Sequence, residues 1–578
     1  MSLILTKKVE RPRELKWYQA GAMLYGDWGT SKAYVLGIAF ALSGHASWFL
    51  LGIMSALTAM VGISYMVICR IYPDGGGVYS SVKHRSQMLA VIGALLLVAD
   101  YVVTASLSAI EAFHYFNFPR PELWAMGAVF LIGAINWIGP SKGGTIAAFI
   151  AAAASIVAGV LFLSTLPHLP HVELTWPKGG LGQNWSTFVG IVLALSGVEA
   201  IANMTGIMKE PVEKTAKKAI WPVLLEVSLL TFLLGIAMNA IPNLGRHEHT
   251  EDMLRALGNH YIGPWYGALI SLVFGFLLLS AVNTAISDLV SIQFLLSRDK
   301  ELPSIFSRLN RFGMPGLALI VATTAPILVL LAQHDVVGLA ALYAIGVVGA
   351  ITLNLGSCAT NFNISLKRWE RILLIAASVI LFFVEVTICF QKHQALIFAV
   401  SILTIGLTLR FSAKKFVPVP LPAEVLETEV LTVSEARAIA PLYKCSFLVS
   451  LRALNNHLLR EAALRAKALG ENTVYLNYVE QTPPSAELPT EVEPSEESIR
   501  LLSAAETELE KHGITGIPIW QFGDDPGKMI ARAAKELEVN TVMIGTTKRS
   551  ALVSLLRGDV LRTLATHLPK NCHLIISN

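Results

Sequence analysis

Long apolar runs alternate with short polar loops over the first 415 residues of the chain. A transmembrane helix needs about 20 predominantly apolar residues, and twelve runs approach or exceed that length. They centre on residues 17–42, 46–69, 87–113, 122–140, 144–167, 186–208, 218–241, 263–296, 316–333, 337–358, 371–391 and 394–411. The pattern predicts an α-helical polytopic membrane domain with twelve spans.

The pattern changes after residue 415. Residues 417–422 read VPVPLP, which is typical of a stiff, extended spacer. Strands are then predicted at Lys444–Leu451, Thr473–Val479, Gly516–Phe522, Thr541–Gly545 and His573–Ser577, and helices at Ala453–Ala468, Ser495–His512, Pro526–Glu538 and Val560–Thr566. Alternating strands and helices indicate an α/β domain with a parallel sheet. We therefore expect a membrane domain (1–415), a Pro-rich linker (416–424) and an α/β tail domain (425–578), with a mobile loop at 482–497.

Composition supports a membrane protein and excludes several other classes. The chain is 54% hydrophobic and only 15% charged, whereas soluble domains carry about 25% charged residues. An ordinary soluble enzyme and a disordered chain are thereby excluded. The five cysteines are scattered singly, without a metal or disulfide spacing. No nucleophile–base pair stands out either, so we expect neither an enzyme nor a bound cofactor.

Charge is distributed unevenly along the chain. Residues 1–415 carry 29 of the 45 Lys and Arg and 21 of the 41 Asp and Glu, so the tail domain is acidic. The basic half is the apolar half, which argues against a nucleic-acid partner. With both termini inside, 23 of the Lys and Arg residues fall in inner loops and 5 in outer ones. Because positive charge accumulates in cytoplasmic loops, we expect an integral protein of a bacterial inner membrane, with both termini and the tail domain cytoplasmic.

The first span contains an acid among small residues. It reads YGDWGTSKAYVLG, with Asp27 between Gly26 and Gly29, and Tyr34 two helical turns further on. An ionisable group inside a span is costly unless it meets a partner or water. The segment predicts an unwound stretch whose free carbonyls and carboxylate bind a cation. The alternative is a glycine-rich packing seam, with the acid paired to Lys32.

The third span reads ADYVVTASLSAIEAF and carries Asp100, Thr104 and Ser108 on one face, each four residues apart. This face is a candidate lining for an ion path. Hydroxyls at this spacing also bond back to the carbonyl four residues earlier. That alternative accounts for Thr104 and Ser108 but not for Asp100.

The sixth span reads LALSGVEAIANMTGIMKEP, with Ser196, Gly197 and Glu199 close together. Spans one and six therefore look like corresponding broken helices in two halves of the protein, which is typical of a transporter binding site. Tyr343, in the glycine-rich segment LYAIGVVGA, is a further candidate.

These motifs together resemble a known family. The segment GDWGTSKAY resembles the first-span signature of KUP-type potassium uptake permeases, usually written GDIGTSPLY. The segments YPDGGGVYSSVK, ADYVVTASLSA and LSGVEAIANMTGIMKEP are similar to those of KimA-type potassium permeases. Both groups belong to the amino acid–polyamine–organocation superfamily, and the resemblance covers roughly residues 15–410.

The resemblance implies a five-plus-five inverted-repeat core with two extra helices, and potassium uptake coupled to protons. It implies that K⁺ is held by Asp27, Tyr34 and Ser196. It further implies an ion path lined by Asp100, Thr104 and Ser108. From the residues themselves, we expect Tyr343 to belong to the substrate site, and Glu199 or Asp100, desolvated inside the membrane, to carry the coupled proton. Lys32 occupies the place usually held by Pro in the signature. A cation there would either repel K⁺ or point to the cytoplasm.

The tail resembles a universal-stress-protein domain, a family that binds ATP through G-x2-G-x9-G-[ST]. The spacing is kept from Gly545 to Gly558, but Lys548 replaces the second Gly, and Asp559, directly after Gly558, replaces the hydroxyl residue. We therefore favour a dimerising or regulatory tail over a nucleotide-binding one. An apolar final strand at 573–577 predicts a homodimer.

Three functions remain open. The first is proton-coupled potassium uptake. The second is a proton-coupled amino-acid permease, which the sixth span suits equally well. The third is a membrane-anchored stress sensor, which would require an intact nucleotide motif in the tail.

Overall fold

The computed structural model describes residues 7–8, 13–139, 143–172, 174–195, 197–241, 244–415, 429–442, 445–482, 491–546 and 560–577. Within these ranges, nine helical stretches are long and apolar enough to cross a membrane. A five-stranded parallel sheet follows them in the tail. The predicted fold class, a polytopic helical domain with an α/β tail, is confirmed.

The membrane domain contains sixteen described α-helices of very different length. They are α1 (Trp17–Trp28), α2 (Ser31–Ser43), α3 (Ser47–Ile71), α4 (Val78–Val82), α5 (Gln87–Tyr115), α6 (Pro121–Ile138), α7 (Gly143–Thr165), α8 (Leu181–Gly190), α9 (Ala200–Asn203), α10 (Val212–Ala237), α11 (Met253–Tyr261), α12 (Pro264–Arg298), α13 (Gly316–Ala332), α14 (Val336–Ala359), α15 (Arg368–Gln391) and α16 (His393–Lys415).

The order of these helices matches the predicted spans closely. Span one is α1 with α2, span six is α8 followed by short helical turns and α9, and span nine is the 17-residue α13. The stretch Trp17–Ile71 has 55 residues, about 80 Å of helix. That is enough for two crossings, and a 3₁₀ turn at Gly44–Ala46 separates them. The count of twelve spans agrees with this order and stays a prediction.

Helices in equivalent positions pack against one another. Spans two and seven are in contact through α3 and α10, and spans three and eight through α5 and α12. This pairing agrees with two five-helix repeats, to which α15 and α16 are added. Helices α6, α7, α15 and α16 instead present exposed apolar side chains such as Phe130, Phe149 and Phe382, which suit contact with lipid. The polar candidate residues lie on the inner helices.

The tail sheet has the strand order β5-β3-β2-β6-β7. Its strands are β2 (Phe447–Leu451), β3 (Thr473–Gln481), β5 (Thr515–Gly523), β6 (Thr541–Gly545) and β7 (His573–Ser577), and its helices are α17 (Val433–Ile439), α18 (Asn456–Ala468), α19 (Glu496–Glu510), α20 (Pro526–Glu536) and α21 (Val560–His567). The five predicted strands and four predicted helices are all present, with ends shifted by at most three residues. The short α17 was not predicted.

The predicted loop 482–497 is wrong in part. Glu491–Val492 forms a strand, β4, which pairs antiparallel with β1 (Lys7–Lys8) at the other end of the chain. Two residues are too short to give a period-2 signal, and their partner is more than 480 residues away, so sequence patterning could not find the pair. Residues 483–490 and the VPVPLP spacer lie outside the described residues.

The tail docks on one end of α12. Arg298 forms an ion pair with Glu480 at 2.7 Å and lies over the Phe522 ring, 5.1 Å from its centroid. Phe294, one turn earlier, is part of the tail's own hydrophobic core and is 2% exposed. We call the membrane-domain face that carries Arg298 the tail-side face, and the opposite face, where α12 begins at Pro264, the far face.

The N-terminal segment connects the tail to the tail-side ends of the inner helices. Glu14 forms an ion pair with Lys528 of α20 at 2.7 Å. The next residue, Leu15, exchanges backbone hydrogen bonds with Ile207 and Lys209 at the end of span six. The segment therefore touches the tail and span six within two residues.

Candidate functional site

The breaks in spans one and six meet at Gly197. This residue has a φ of +88°, and a Cβ there would lie 2.7 Å from the backbone N of Trp28 and 2.9 Å from the Asp27 carboxyl carbon. Only glycine satisfies both the left-handed backbone and this close approach. The two spans are therefore in direct contact at Asp27, the acid predicted to bind a cation.

The break in span one is smaller than predicted. Gly29 and Thr30 interrupt the helix, yet both keep right-handed helical dihedral angles. The Thr30 hydroxyl donates to the Asp27 carbonyl, and the Ser31 hydroxyl donates to the Trp28 carbonyl at 2.8 Å. The expectation that carbonyls are freed here is therefore wrong at these two positions, because hydroxyls three residues on occupy them. The group in this segment that remains able to bind a cation is the carboxylate of Asp27.

Span three faces span ten across a very short distance. A Cβ on Gly346 of α14 would lie 2.7 Å from the backbone N of Asp100, so the two helices nearly touch. Tyr343, one turn before Gly346, is buried and within electrostatic range of Asp100. The Thr104 hydroxyl donates to the Asp100 carbonyl at 2.9 Å, as the alternative interpretation anticipated. Ser108 is buried one turn beyond Thr104.

Three carboxylates converge between these helices. Asp27, Asp100 and Glu199 are each at most 5% exposed, and each lies within electrostatic range of the other two. Tyr343 interacts electrostatically with all three acids, and Tyr34 with Asp27 and Asp100. Five of the predicted site residues are therefore neighbours. Ser196, which precedes Gly197 directly, lies outside the described residues.

Lys32 does not take part in this cluster. Its ammonium is fully buried and lies 2.6 Å from both carboxylate oxygens of Glu226 in α10 and 2.9 Å from the Tyr25 hydroxyl. Exposure of Lys32 to the cytoplasm is wrong, and so is its pairing with Asp27; repulsion of K⁺ stays a prediction, although the Glu226 carboxylate balances the charge. The partner is 194 residues away in sequence, and only the packing of α2 on α10 brings it close.

One buried acid was overlooked in the sequence. Glu111 follows Ser108 by three residues and lies on the same face of α5 as Asp100 and Thr104. The periodicity that singled out those residues could have included it.

The described part of the predicted nucleotide motif is limited to Gly545, the last residue of β6. Lys548, Gly558 and Asp559 lie outside the described residues. The neighbouring strand β7 is the edge of the sheet, and its Ile576 is 48% exposed. Among the described residues no further strand pairs with β7, so the strand predicted to pair in a dimer lies at an edge of the sheet.

Comparison with known proteins places this arrangement in a family. The amino acid permease family profile matches residues 15–409, and that of the universal stress protein family matches residues 452–575. The potassium transporter KimA of Bacillus subtilis is 26% identical over 437 residues, covering 70% of this chain and 71% of KimA. An uncharacterized transporter of Legionella pneumophila, lpg1691, is 23% identical over 291 residues, covering 46% of this chain and 62% of that protein.

Among solved structures, the universal stress protein from Archaeoglobus fulgidus is 23% identical, with a TM-score of 0.19, and covers 23% of this chain and 98% of that one. The predicted resemblances of the membrane domain and of the tail are both confirmed. Many apolar helices and a permease profile over most of the chain identify an integral membrane transporter. The chain belongs to the amino acid permease family and carries a universal-stress-protein domain at its C-terminal end.

Proposed function

We propose that the protein is a secondary active transporter that takes up potassium together with protons. The observation that carries the proposal is the convergence of Asp27, Asp100 and Glu199 at the breaks of spans one and six. Three buried carboxylates in one site favour cations over anionic or zwitterionic substrates. Similarity to the KimA potassium transporter over most of both chains supports potassium as the ion.

In this proposal, K⁺ exchanges its water for oxygen ligands in mid-membrane. Asp27 supplies the charge, Tyr34 and Ser196 supply hydroxyl oxygens, and Tyr343 closes the site from span ten. Asp100, Thr104 and Ser108 line the path along α5. A buried pair of carboxylates that interact strongly does not ionise fully. One proton on Glu199, or alternatively on Asp100, therefore accompanies the ion.

The tail-side end of the site is held by hydrogen bonds to backbone carbonyls. The Gly76 N–H donates to the Ala202 carbonyl at 3.0 Å, which ties the loop after span two to α9. Arg13 donates to the Pro73 carbonyl at 3.0 Å and to the Thr205 carbonyl at 3.1 Å. We infer that release of the ion on this face requires these contacts to open, and that this face is cytoplasmic, together with both termini and the tail.

An amino-acid symporter is the second candidate, because the matching family profile is that of amino acid permeases. The substrate carboxylate of such a carrier is held by uncharged backbone N–H groups at a helix break. Asp27 at this break would repel it, which is why potassium is preferred. A membrane-anchored stress sensor is the third candidate, and it requires a nucleotide effector at the tail.

Potassium uptake is tested by complementation of a potassium-uptake-deficient bacterial strain at low external K⁺. We expect growth with the wild-type protein and none with Asp27→Asn, which keeps the shape and removes the charge, at normal membrane expression. Glu122→Gln at the start of α6 removes a carboxylate outside the site and should leave growth unchanged. Full uptake by Asp27→Asn would refute the assignment.

Proton coupling is tested in reconstituted vesicles. We expect Glu199→Gln to abolish uptake driven by a pH gradient while binding of K⁺ or its analogues survives. Unchanged proton-driven uptake would move the proton to Asp100.

We also propose that the tail makes the protein a homodimer on which regulation of transport depends. The position of β7 at an edge of the described sheet supports pairing, since an exposed apolar edge otherwise risks aggregation. We expect Ile576→Arg to give a monomer in detergent with altered uptake kinetics. A monomeric wild-type protein would rule out the dimer.

A further inference from the structure

Glu111 is a second buried acidic position, separate from the carboxylate cluster. Its side chain is completely buried in α5 (0% exposed), and among the described residues neither carboxylate oxygen has a hydrogen-bond partner. A buried, ionised and unpaired carboxylate is costly. Because no described residue compensates the Glu111 carboxyl group, its position points to an unassigned cationic ligand.

The position of Glu111 connects the cluster to the far face. It lies eleven residues after Asp100 on the same helical face, which is about 16 Å towards the far face. Tyr34, a predicted K⁺ ligand, lies within electrostatic range of both Asp27 and Glu111. Tyr115, one turn beyond Glu111, donates to the Ala33 carbonyl at 2.8 Å and so holds α5 against the segment that carries Tyr34.

The far-face surroundings of Glu111 are acidic. Glu251 and Asp252, just before α11, both interact with it electrostatically. Glu251 is paired with His114 at 2.7 Å, and Asp252 with His249 at 2.8 Å and with Arg255 at 3.9 Å. The two histidines carry charge only when protonated. Among the groups named here, three carboxylates face one permanent positive charge, that of Arg255, when both histidines are neutral. Such a field attracts cations.

We propose that Glu111 is a staging site that binds the transported monovalent cation between the far face and Asp27. A proton alone would remove the charge but leave both oxygens without a hydrogen bond, which is itself costly for a buried group. A partly hydrated alkali ion satisfies both requirements, since such ions accept protein oxygens in place of water. This inference rests on the proposed cation transport.

The test is ion counting on the purified full-length protein, with Tl⁺ as the probe for K⁺. We expect Glu111→Gln to bind one Tl⁺ fewer per chain than the wild type and to raise the KM for K⁺ uptake. Loss of one charged oxygen ligand should raise this KM about tenfold or more. Glu111→Asp keeps the charge and should recover the missing ion, which guards against a merely structural effect of the amide.

The outcomes separate this inference from the function on which it rests. A wild-type protein that binds no Tl⁺ refutes the proposed cation transport itself. A wild type that binds Tl⁺, with Glu111→Gln equal in stoichiometry and KM, refutes only the staging site. An unchanged Tl⁺ count with a shifted pH profile of uptake also overturns it, and assigns Glu111 to proton transfer.

Discussion

Glu226→Gln should destabilise the membrane domain strongly, because it removes the partner of a buried ammonium. Lys32 is 0% exposed, whereas the Glu226 side chain is 17% exposed. The amide keeps the size of the side chain and one acceptor oxygen, but it carries no charge. The variant therefore isolates the ion pair between spans one and seven from their packing.

Two independent arguments set the size of the effect. Breaking one partner of a buried ion pair costs about 3–5 kcal/mol. The unpaired lysine can instead lose its proton, and discharging an amine of ordinary pKa at pH 7 costs about 4–5 kcal/mol, which is a ceiling. The expected loss of stability is therefore about 3–5 kcal/mol.

The assay is a double-mutant cycle on detergent-purified protein, read by thermal unfolding and by gel filtration. Lys32→Met should cost less than Glu226→Gln, since the remaining Glu226 carboxylate still accepts a hydrogen bond from the Tyr25 hydroxyl at 2.9 Å. The double variant, Lys32→Met with Glu226→Gln, removes both charges and should recover much of the loss. Its potassium uptake should remain, because neither residue belongs to the carboxylate cluster.

Two results would contradict this reasoning. Equal melting of wild type and Glu226→Gln would mean that the pair contributes nothing to folding. A stable double variant that has lost uptake would mean that Lys32 acts in transport rather than in holding span one against span seven.

Three further predictions concern the breaks and the tail. Gly197→Ala should abolish uptake and lower stability by about 2–4 kcal/mol, from the left-handed backbone and the clash with span one, whereas Gly127→Ala, with open space around its Cβ, should be silent in both assays. Glu480→Gln breaks the ion pair to α12 and should increase hydrogen exchange at the ends of β3 and β5. Exchange that is already as fast in the wild type would mean that the tail is not docked on α12. Burial works to raise the pKa of Glu435, but hydrogen bonds from Thr432 and Lys7 outweigh it and hold that pKa below its ordinary 4.5. The ion pair of Glu435 with Lys7 therefore stabilises β1 above pH 4.5 and is lost as the pH falls through the lowered pKa. Hydrogen exchange at β1, corrected for intrinsic rates, should increase over this pH range in the wild type but not in Glu435→Gln.

Period and length carried most of the fold prediction. The long apolar runs and the alternation of strands and helices depend on burial alone, and burial leaves a periodic signal in the sequence. Strand β6 was therefore predicted to the residue, at Thr541–Gly545. The pair β1–β4 was not found, because two-residue strands have no period.

Only those site residues that are unusual within their own helix could be predicted from the sequence. Acids inside apolar runs are conspicuous, so Asp27, Asp100 and Glu199 were found, although Glu111 was overlooked. The structure brings the first three together. The role of Lys32 could not be found, because its partner Glu226 lies on a helix whose packing no local pattern encodes. The hydroxyls that occupy the span-one carbonyls show the same limit, since a glycine-rich segment does not reveal which bonds its neighbours make.

The two-residue strand β1 joins the N-terminal end of the chain to the tail domain by pairing with β4. A fragment beginning after the spacer would lose Lys7 and Lys8 from the edge of β4, the carboxylate of Glu14 beside Lys528, and Phe294 from its hydrophobic core. Such a fragment would expose apolar surface that the intact chain covers. Ligands that bind this domain should therefore be sought with the full-length protein, in which occupancy of the tail and the state of the membrane helices are read from the same molecule.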